Sequence, residues 1–283
     1  MKGLLPATLV LAAATGWARS VPQPLNVCAD PNNMPFSNQA HQGFENKIIE
    51  LVARDLGQPI HYVWWAQRRG YVRRTLNAEK CQIWPGIATD VNTVATTLPY
   101  YRSTYVFVTR ADAPLDHLTL DDARLKTAAI GVQMIGNDSM NTPPAHAIAE
   151  RGLTDNVRGY MVYADYHRPH PTDAIIAAVE NKDINVAIVW GPLAGYYAFR
   201  SANPLRVDAV TPATDTRWPM AYGISMGVRR GDEALRTRVN AVLDHEKTAI
   251  DAILRAYHVP RAPQPPTPPA QPAPAAARNA TPP

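Results

Sequence analysis

The chain has 283 residues and a formal net charge of +4. Two of the positive charges belong to Lys2 and Arg19 near the N-terminus. The remainder is close to balance, which disfavours a nucleic-acid-binding protein because such proteins concentrate basic residues on one face. The densest basic run, residues 68–74 with four arginines, is better explained as a solvated helix face.

The first 20 residues are typical of a secretory signal peptide. Lys2 precedes an apolar run from Gly3 to Trp17, and small residues follow, so we expect cleavage after Ala18 or after Ser20. No cysteine lies near these positions to carry a lipid anchor, and no later stretch is long and apolar enough to span a membrane. The sequence therefore predicts export to the periplasm without membrane insertion.

Between residues 25 and 258, short apolar runs alternate with amphipathic stretches, which predicts an α/β protein with a mostly parallel sheet. In chain order, strands are expected at 25–29, 60–65, 81–87, 104–109, 128–132, 186–190, 205–210 and 221–228. Helices are expected at 43–56, through Tyr71 to Leu76, at 174–180 and at 232–257.

The order of these elements predicts two lobes. The series is interrupted, restarts, and is completed by C-terminal elements, so two hinge crossings are expected near Arg110 and Val207. The first lobe would comprise 21–110 and 207–259, and the second 111–206. A cleft lined by the carboxyl ends of parallel strands would lie between them.

The last segment, 260–283, contains ten prolines and almost no large apolar side chain. Such a composition does not bury enough surface to fold, so we expect an extended, disordered tail.

Two cysteines are present, Cys28 and Cys81, in two predicted neighbouring parallel strands. An oxidising compartment allows them to form a disulfide. The alternative is a pair of separate buried thiols.

The order of the segments resembles the periplasmic solute-binding proteins of the polar amino-acid uptake type, solute-binding protein family 3. Six stretches are more specific: CADPNNMPFSN at 28–38, GFENKI at 43–48, WWAQRRG at 64–70, PYYRSTYVFVTR at 99–110, IGNDSMNTPPAHA at 135–147 and IVWGPLAGYYA at 188–198. They are similar to the quinoprotein dehydrogenase-associated substrate-binding proteins, the J-type accessory proteins found with methanol dehydrogenases.

This resemblance implies a two-lobed periplasmic binding-protein fold of type II. It also implies association with a dehydrogenase that uses pyrroloquinoline quinone, and with that enzyme's cytochrome c as a further candidate partner. It does not imply that this chain carries the quinone, since nothing in the sequence shows the repeated blades of a propeller. We expect no cofactor and no metal in this chain.

In amino-acid-binding relatives, an arginine about nine residues before a proline-tyrosine pair grips the ligand carboxylate, and a later acid holds the amino group. The corresponding positions here are Asp90, counted back from Pro99, and Trp190. An anionic carboxylate facing Asp90 would be repelled, so ordinary amino-acid binding is not expected.

The strand ends instead offer rings and amides, which suit a neutral organic ligand or a protruding side chain of a partner protein. The predicted cleft residues are Asn33, Pro35, Phe36, Trp64, Trp65, Gln67, Arg68, Gly86, Asp90, Tyr100, Tyr101, Arg102, Asn137, Asp138, Thr142 and Trp190.

Three arginines, Arg68, Arg69 and Arg102, are the positive charges expected near the cleft mouth. One of them would pair with an acidic ligand such as the tricarboxylate quinone. The alternative is an ion pair within the chain, with Glu45, Asp30 or Asp138 as the acid.

No nucleophile elbow, zinc-helix motif or phosphate loop is present, so we do not expect an enzyme. The first hypothesis is an accessory protein that docks on a periplasmic quinoprotein methanol or alcohol dehydrogenase and aids its assembly or activation. The alternative is the solute receptor of an ABC importer, which would deliver a small non-amino-acid ligand to a permease.

Overall fold

The computed structural model describes residues 22–89, 91–135, 141–162, 166, 171–212 and 217–263. Its strands are β1 (Leu25–Ala29), β2 (Asn32–Asn33), β3 (Ser37–Asn38), β4 (Ile60–Trp64), β5 (Ile83–Ala88), β6 (Ala95–Thr96), β7 (Tyr101–Arg110), β8 (Ile130–Met134), β9 (Val157–Met161), β10 (Val186–Trp190), β11 (Leu205–Ala209) and β12 (Ala221–Val228). Its helices are α1 (Phe44–Asp55), α2 (Tyr71–Arg74), α3 (Pro143–Glu150), α4 (Ala174–Glu180), α5 (Gly191–Arg200), α6 (Glu233–His245) and α7 (Lys247–Ala256).

The main strands run in the spatial order β4-β1-β5-β12-β7-β10-β8-β9, with β11 also paired to β7 and β6 to β12. The outer pairs are parallel: β1 with β4 and β5, and β8 with β9 and β10. The strands between them are antiparallel, since β12 pairs with β5 and β7, and β7 pairs with β10 and β11. The sheet is therefore mixed rather than mostly parallel, because β7 and β12 carry the chain back and forth between the lobes.

Strand β7 belongs to both lobes. Its first part, Tyr101–Thr104, pairs with β12, whereas Tyr105 onward pairs with β10 and β11. Strand β12, which begins at Ala221, pairs again with the first-lobe part of β7. The predicted crossings at Arg110 and Val207 both lie inside the second-lobe part of the sheet, because β11 pairs with Val106–Arg110 of β7 and Val207 lies opposite Val108.

Each lobe has an apolar core on the faces of its own sheet. In the first lobe, α1 buries Phe44, Ile48 and Val52 against the strands and against α6 and α7. In the second lobe, the two faces of the sheet are covered separately. One buries Leu125, Ile130 and Ile148, and the other Ile175, Val179 and Ile184.

Several predicted helices differ from those of the structure. The predicted helix 232–257 is two helices, α6 and α7, with Glu246 between them. Helix α2 ends at Arg74 instead of reaching Leu76. The predicted elements omitted α3, β9, α5 and the two-residue strands β2, β3 and β6.

Cys28 and Cys81 form a disulfide, with their Cα atoms 5.5 Å apart and both residues buried. Cys28 lies on β1 and Cys81 directly precedes β5, the parallel neighbour of β1. Of the two alternatives that the sequence left open, the structure therefore has the bonded one.

The body of the protein extends slightly into the predicted tail. The Ser103 hydroxyl donates to the carbonyl of Pro260 at 2.6 Å, and the Ala262 amide donates to the Arg102 carbonyl at 3.1 Å. These hydrogen bonds fix the chain against β7, so the folded part does not end at 259. Residues 264–283 lie outside the described residues, as does the predicted signal peptide.

Candidate functional site

A cavity of about 280 Å³ lies between the lobes. The first lobe contributes the loop after β1 and the residue Gln67 beyond β4, and the second contributes β7, β8, β10, α5 and the segments around α3 and α4. The lining residues are Asp30, Asn32, Asn33, Phe36, Gln67, Tyr105, Gln133, Ile135, Thr142, Val162, Tyr166, Thr172, Trp190 and Leu193.

The first-lobe wall is built around Asp30, which follows β1 and is 1% exposed. Its Oδ1 accepts from the Asn32 amide at 2.9 Å, and its Oδ2 from the Gln67 amide at 2.7 Å and the Tyr166 hydroxyl at 2.5 Å. Desolvation raises the pKa of the Asp30 carboxyl, and the hydrogen bonds from Gln67, Tyr166 and Asn32 oppose that rise. Asp30 is thus held by its own loop, by the chain beyond β4 and by the second lobe.

Further contacts join the lobes beside this carboxylate. The hydroxyl of Thr172 donates to the Met34 carbonyl at 2.7 Å, and that of Tyr197 reaches the same oxygen at 3.3 Å. The guanidinium carbon of Arg68 lies 5.0 Å from the centre of the Tyr166 ring. The lobes therefore make direct side-chain contacts around the cavity.

The second-lobe wall is built around Gln133 on β8. Its side-chain oxygen accepts from the Trp190 amide at 2.9 Å, while the Thr142 hydroxyl donates to its backbone carbonyl at 2.6 Å. The Trp190 ring meets Tyr105 edge to face, with ring centres 5.2 Å apart. These contacts orient the amide and two large aromatic rings at the cavity.

A second acid, Glu45 on α1, is buried in the first lobe. It packs under the end of β5 so closely that a Cβ atom at Gly86 would overlap its Oε1. Desolvation, and then the nearby charge of Asp30, raise the pKa of Glu45 to about 8. Glu45 is therefore protonated at neutral pH, and Asp30 is the acid that faces the cavity.

A two-lobed α/β frame with a lined cleft between the lobes is typical of extracellular binding proteins, and the comparisons agree. Residues 25–259 match the model of the bacterial extracellular solute-binding proteins, family 3. The chain belongs to this family.

Among curated relatives, the chain is 32% identical over 248 residues to Protein MoxJ of Methylorubrum extorquens, covering 83% of this chain and 81% of the relative. It is 28% identical to Protein MoxJ of Paracoccus denitrificans over 253 residues, covering 83% and 88%. The crystal structure of the periplasmic binding protein XoxJ from Methylobacterium extorquens AM1 is 36% identical, with a TM-score of 0.70, covering 85% of this chain and 100% of that one.

The structure of MxaJ from Methlophaga aminisulfidivorans MPT, at 23% identity and a TM-score of 0.73, covers 84% of this chain and 100% of that one and supports the fold. The type II solute-binding fold that the sequence predicted is thereby confirmed. Among the described helices of this family-3 protein, none has the length and apolar character needed to cross a membrane.

Some of the predicted cleft residues of this solute-binding protein lie together at the cavity. Asn33, Phe36, Gln67, Thr142 and Trp190 line the cavity. Asp90, Asn137 and Asp138 lie outside the described residues.

The other predicted cleft residues lie elsewhere. Those that do not line the cavity are Pro35, Trp64, Trp65, Arg68, Gly86, Tyr100, Tyr101 and Arg102. Trp64 stacks on Tyr62 at 4.6 Å, and Lys80 lies over Trp65. The Tyr100 hydroxyl donates to the Pro85 carbonyl at 2.8 Å, and Tyr101 is part of the first-lobe core.

The arginines expected to pair an acidic ligand are not in the cavity. Arg102 donates to the Ala221 carbonyl at 3.2 Å, and Arg68 lies on the ring of Tyr166. Among the described lining residues, no side chain is positively charged. The geometry of these residues therefore does not support a carboxylate-binding arginine in the cleft.

Sequence reasoning missed the groups that organise the site: Asp30 as a lining residue, Tyr105, Gln133, Tyr166 and Thr172. A usable signal existed for Asp30, because it directly follows β1, at the carboxyl end of a parallel strand. Gln133 lies inside a strand and Tyr166 in a segment without periodicity, and no sequence pattern marks either one.

Proposed function

We propose that this protein is a periplasmic accessory protein of a quinoprotein methanol or alcohol dehydrogenase, which it aids in assembly or activation by docking or by binding in the cleft. The likeness to MoxJ and XoxJ over more than four fifths of the chain supports this assignment. The resemblance of six sequence blocks to accessory proteins found with methanol dehydrogenases supports it too. In this proposal the chain binds and does not catalyse.

The composition of the cleft carries the proposal. An amino-acid receptor needs a positive group for the carboxylate, and the described lining residues offer none. The lobes instead contact each other directly, through Tyr166 and Asp30 and through Thr172 and Met34. A family-3 frame with this cleft fits a role tied to a partner better than uptake of amino acids.

The test is a strain that lacks the gene, complemented with the wild-type gene. We expect the strain to lose alcohol oxidation by the quinoprotein, or to accumulate dehydrogenase without bound quinone. Affinity-tagged protein should also retain the dehydrogenase during purification. Normal alcohol oxidation in the deletion strain, with a fully loaded dehydrogenase, would overturn the proposal.

The second candidate is the solute receptor of an ABC importer, and the cavity of about 280 Å³ favours it. A receptor should show ligand-dependent stabilisation, by about 2.7 kcal/mol at a hundredfold excess of ligand over Kd. Adjacent genes separate the two candidates: a dehydrogenase and a cytochrome c favour the accessory role, whereas a permease and an ATPase favour the receptor.

A further inference from the structure

The charge of the cleft points to a ligand class. Asp30 lines the cavity, is 1% exposed, and is the one charged side chain among the described lining residues. Arg68 is close enough to lower the pKa of Asp30, but it lies on the ring of Tyr166 and outside the cavity lining. A buried carboxylate that faces a cavity favours a positively charged occupant and disfavours an anion.

The hydrogen bonding of Asp30 leaves room for such an occupant. An ionised carboxylate accepts about four hydrogen bonds. Three donors are in place: two backbone amides, of Asn32 and Gln67, and the Tyr166 hydroxyl. The two amides belong to the first lobe and are fixed by its backbone. The Tyr166 hydroxyl comes from the other lobe and is the donor that a ligand can replace.

The rest of the lining suits an organic cation. The rings of Phe36, Tyr105, Tyr166 and Trp190 border the same cavity. Aromatic faces attract cations, and the attraction is greatest where water is excluded. Arg68 shows this interaction on the Tyr166 ring. The apolar side chains of Ile135, Val162 and Leu193 supply contacts for an alkyl group.

We propose that the cleft takes a small organic ammonium group, paired with Asp30 and bordered by these rings, and that the Tyr166 hydroxyl holds its place in the ligand-free protein. Ligand entry then replaces the Tyr166 hydroxyl at Asp30 by a positive charge. Two sources share this chemistry: a free amine, or a lysine side chain of the dehydrogenase. Only the second source rests on the proposed function.

The first experiment uses the purified full-length protein and matched probes. Choline and 3,3-dimethylbutan-1-ol have the same shape, and only choline is charged; methylammonium and acetate test a smaller cation and an anion. Calorimetric titration and melting temperature are measured at constant ionic strength. We expect choline or methylammonium to bind at least tenfold more tightly than the alcohol and acetate. Equal responses to choline and the alcohol, or no response to either cation, would overturn the proposal.

Three variants locate the site. Asp30→Asn should weaken binding of the cation at least tenfold. Tyr166→Phe should tighten it severalfold, because the competing hydroxyl is gone and one acceptor site on Asp30 is freed. Asp121→Asn is the control, since Asp121 pairs with Arg151 on the surface and should not affect binding. If Asp30→Asn does not fold, an unchanged or weakened affinity in Tyr166→Phe is sufficient to reject the proposal.

The source of the ammonium group is tested with the dehydrogenase present. Saturating choline should weaken the association of the two proteins if a lysine of the dehydrogenase occupies the cleft, and should leave it unchanged if the ligand is a free amine. Loss of the dehydrogenase association with intact choline binding would reject the proposed function alone. Loss of choline binding with intact association would reject this inference alone.

Discussion

The hydroxyl of Tyr166 donates to Oδ2 of Asp30, and so a residue of the second lobe completes the hydrogen bonding of a carboxylate in the first. The backbone amides of Asn32 and Gln67 supply the other donors. Because both amides belong to the first lobe, opening of the cleft would break only the hydrogen bond from Tyr166. The hydrogen bond between Tyr166 and Asp30 therefore depends on the two lobes being together.

Replacement of Tyr166 by phenylalanine should weaken the closed arrangement. A hydrogen bond to a charged group contributes about 1.5 to 3 kcal/mol. We expect a lower melting temperature in the ligand-free protein and a larger radius of gyration in small-angle X-ray scattering. Tyr196→Phe on α5 is the matched control, and it should leave the radius unchanged. The same radius in both variants would show that Tyr166 does not hold the lobes together.

The pKa of Glu45 predicts a pH dependence of stability with a defined sign. Its folded pKa of about 8 lies above the ordinary value of 4.5, so between these values the folded state binds more protons than the unfolded state. The free energy of unfolding should therefore fall as pH rises from about 4.5 to about 8, by up to about 5 kcal/mol, and level off above that range.

Glu45→Gln removes this proton and should flatten the dependence. Chemical unfolding at pH 5, 6, 7 and 8 measures the slope in each protein. Glu50→Gln, a partly exposed acid on the same helix, is the control and should keep the wild-type slope. Desolvation also raises the pKa of Asp30, and that contribution is common to all three proteins. An equal slope in Glu45→Gln and wild type would contradict the assignment.

Much of the fold could be predicted because buried segments show a local pattern of apolar residues in the sequence. Strands β1, β10 and β12 and helix α4 have the predicted bounds, since each is a short apolar run between turn residues. Helices α3 and α5 were missed because each begins at a proline or glycine, which the pattern treats as a break, although proline suits the first turn. The point where β7 changes sheet depends on strand pairing, which leaves no mark in its sequence.

The site was less predictable than the fold. Asn33, Phe36 and Gln67 follow predicted strands and do line the cavity. Tyr101 was expected at the cleft because it precedes the predicted crossing, but it is the first residue of β7 and is buried in the core. The bond between Tyr166 and Asp30 joins residues 136 positions apart, and local patterns carry no information on such a contact.

Loss of the disulfide should destabilise the protein without changing its fold. Cys28 and Cys81 close a loop with a sequence separation of 53, for which the chain-entropy estimate is about 4 kcal/mol. The double variant Cys28→Ala/Cys81→Ala should show this loss in denaturant unfolding, and reduced wild-type protein should resemble it. Complete thiol labelling of the unfolded protein without reductant would instead show that the cysteines are unbonded.

Whether Gly195→Ala stabilises or destabilises the protein tests how α5 packs against the C-terminal segment. In a free helix, alanine in place of glycine stabilises by about 1 kcal/mol. Here a Cβ atom at Gly195 would overlap the His258 carbonyl oxygen. The neighbouring rings of Phe199 and His258 stack with centres 3.5 Å apart, and Tyr196 stacks on Tyr257 at 5.8 Å.

We therefore expect Gly195→Ala to destabilise the protein by about 1 to 3 kcal/mol, because a packed backbone has to move. Denaturant unfolding measures the change, and amide hydrogen exchange at Tyr257 reports whether this segment becomes more accessible. Ala198→Gly, one turn along α5, is the control for helix propensity and should lose about 1 kcal/mol without exposing Tyr257. A more stable Gly195→Ala protein would mean that the C-terminal segment does not pack against α5 in solution.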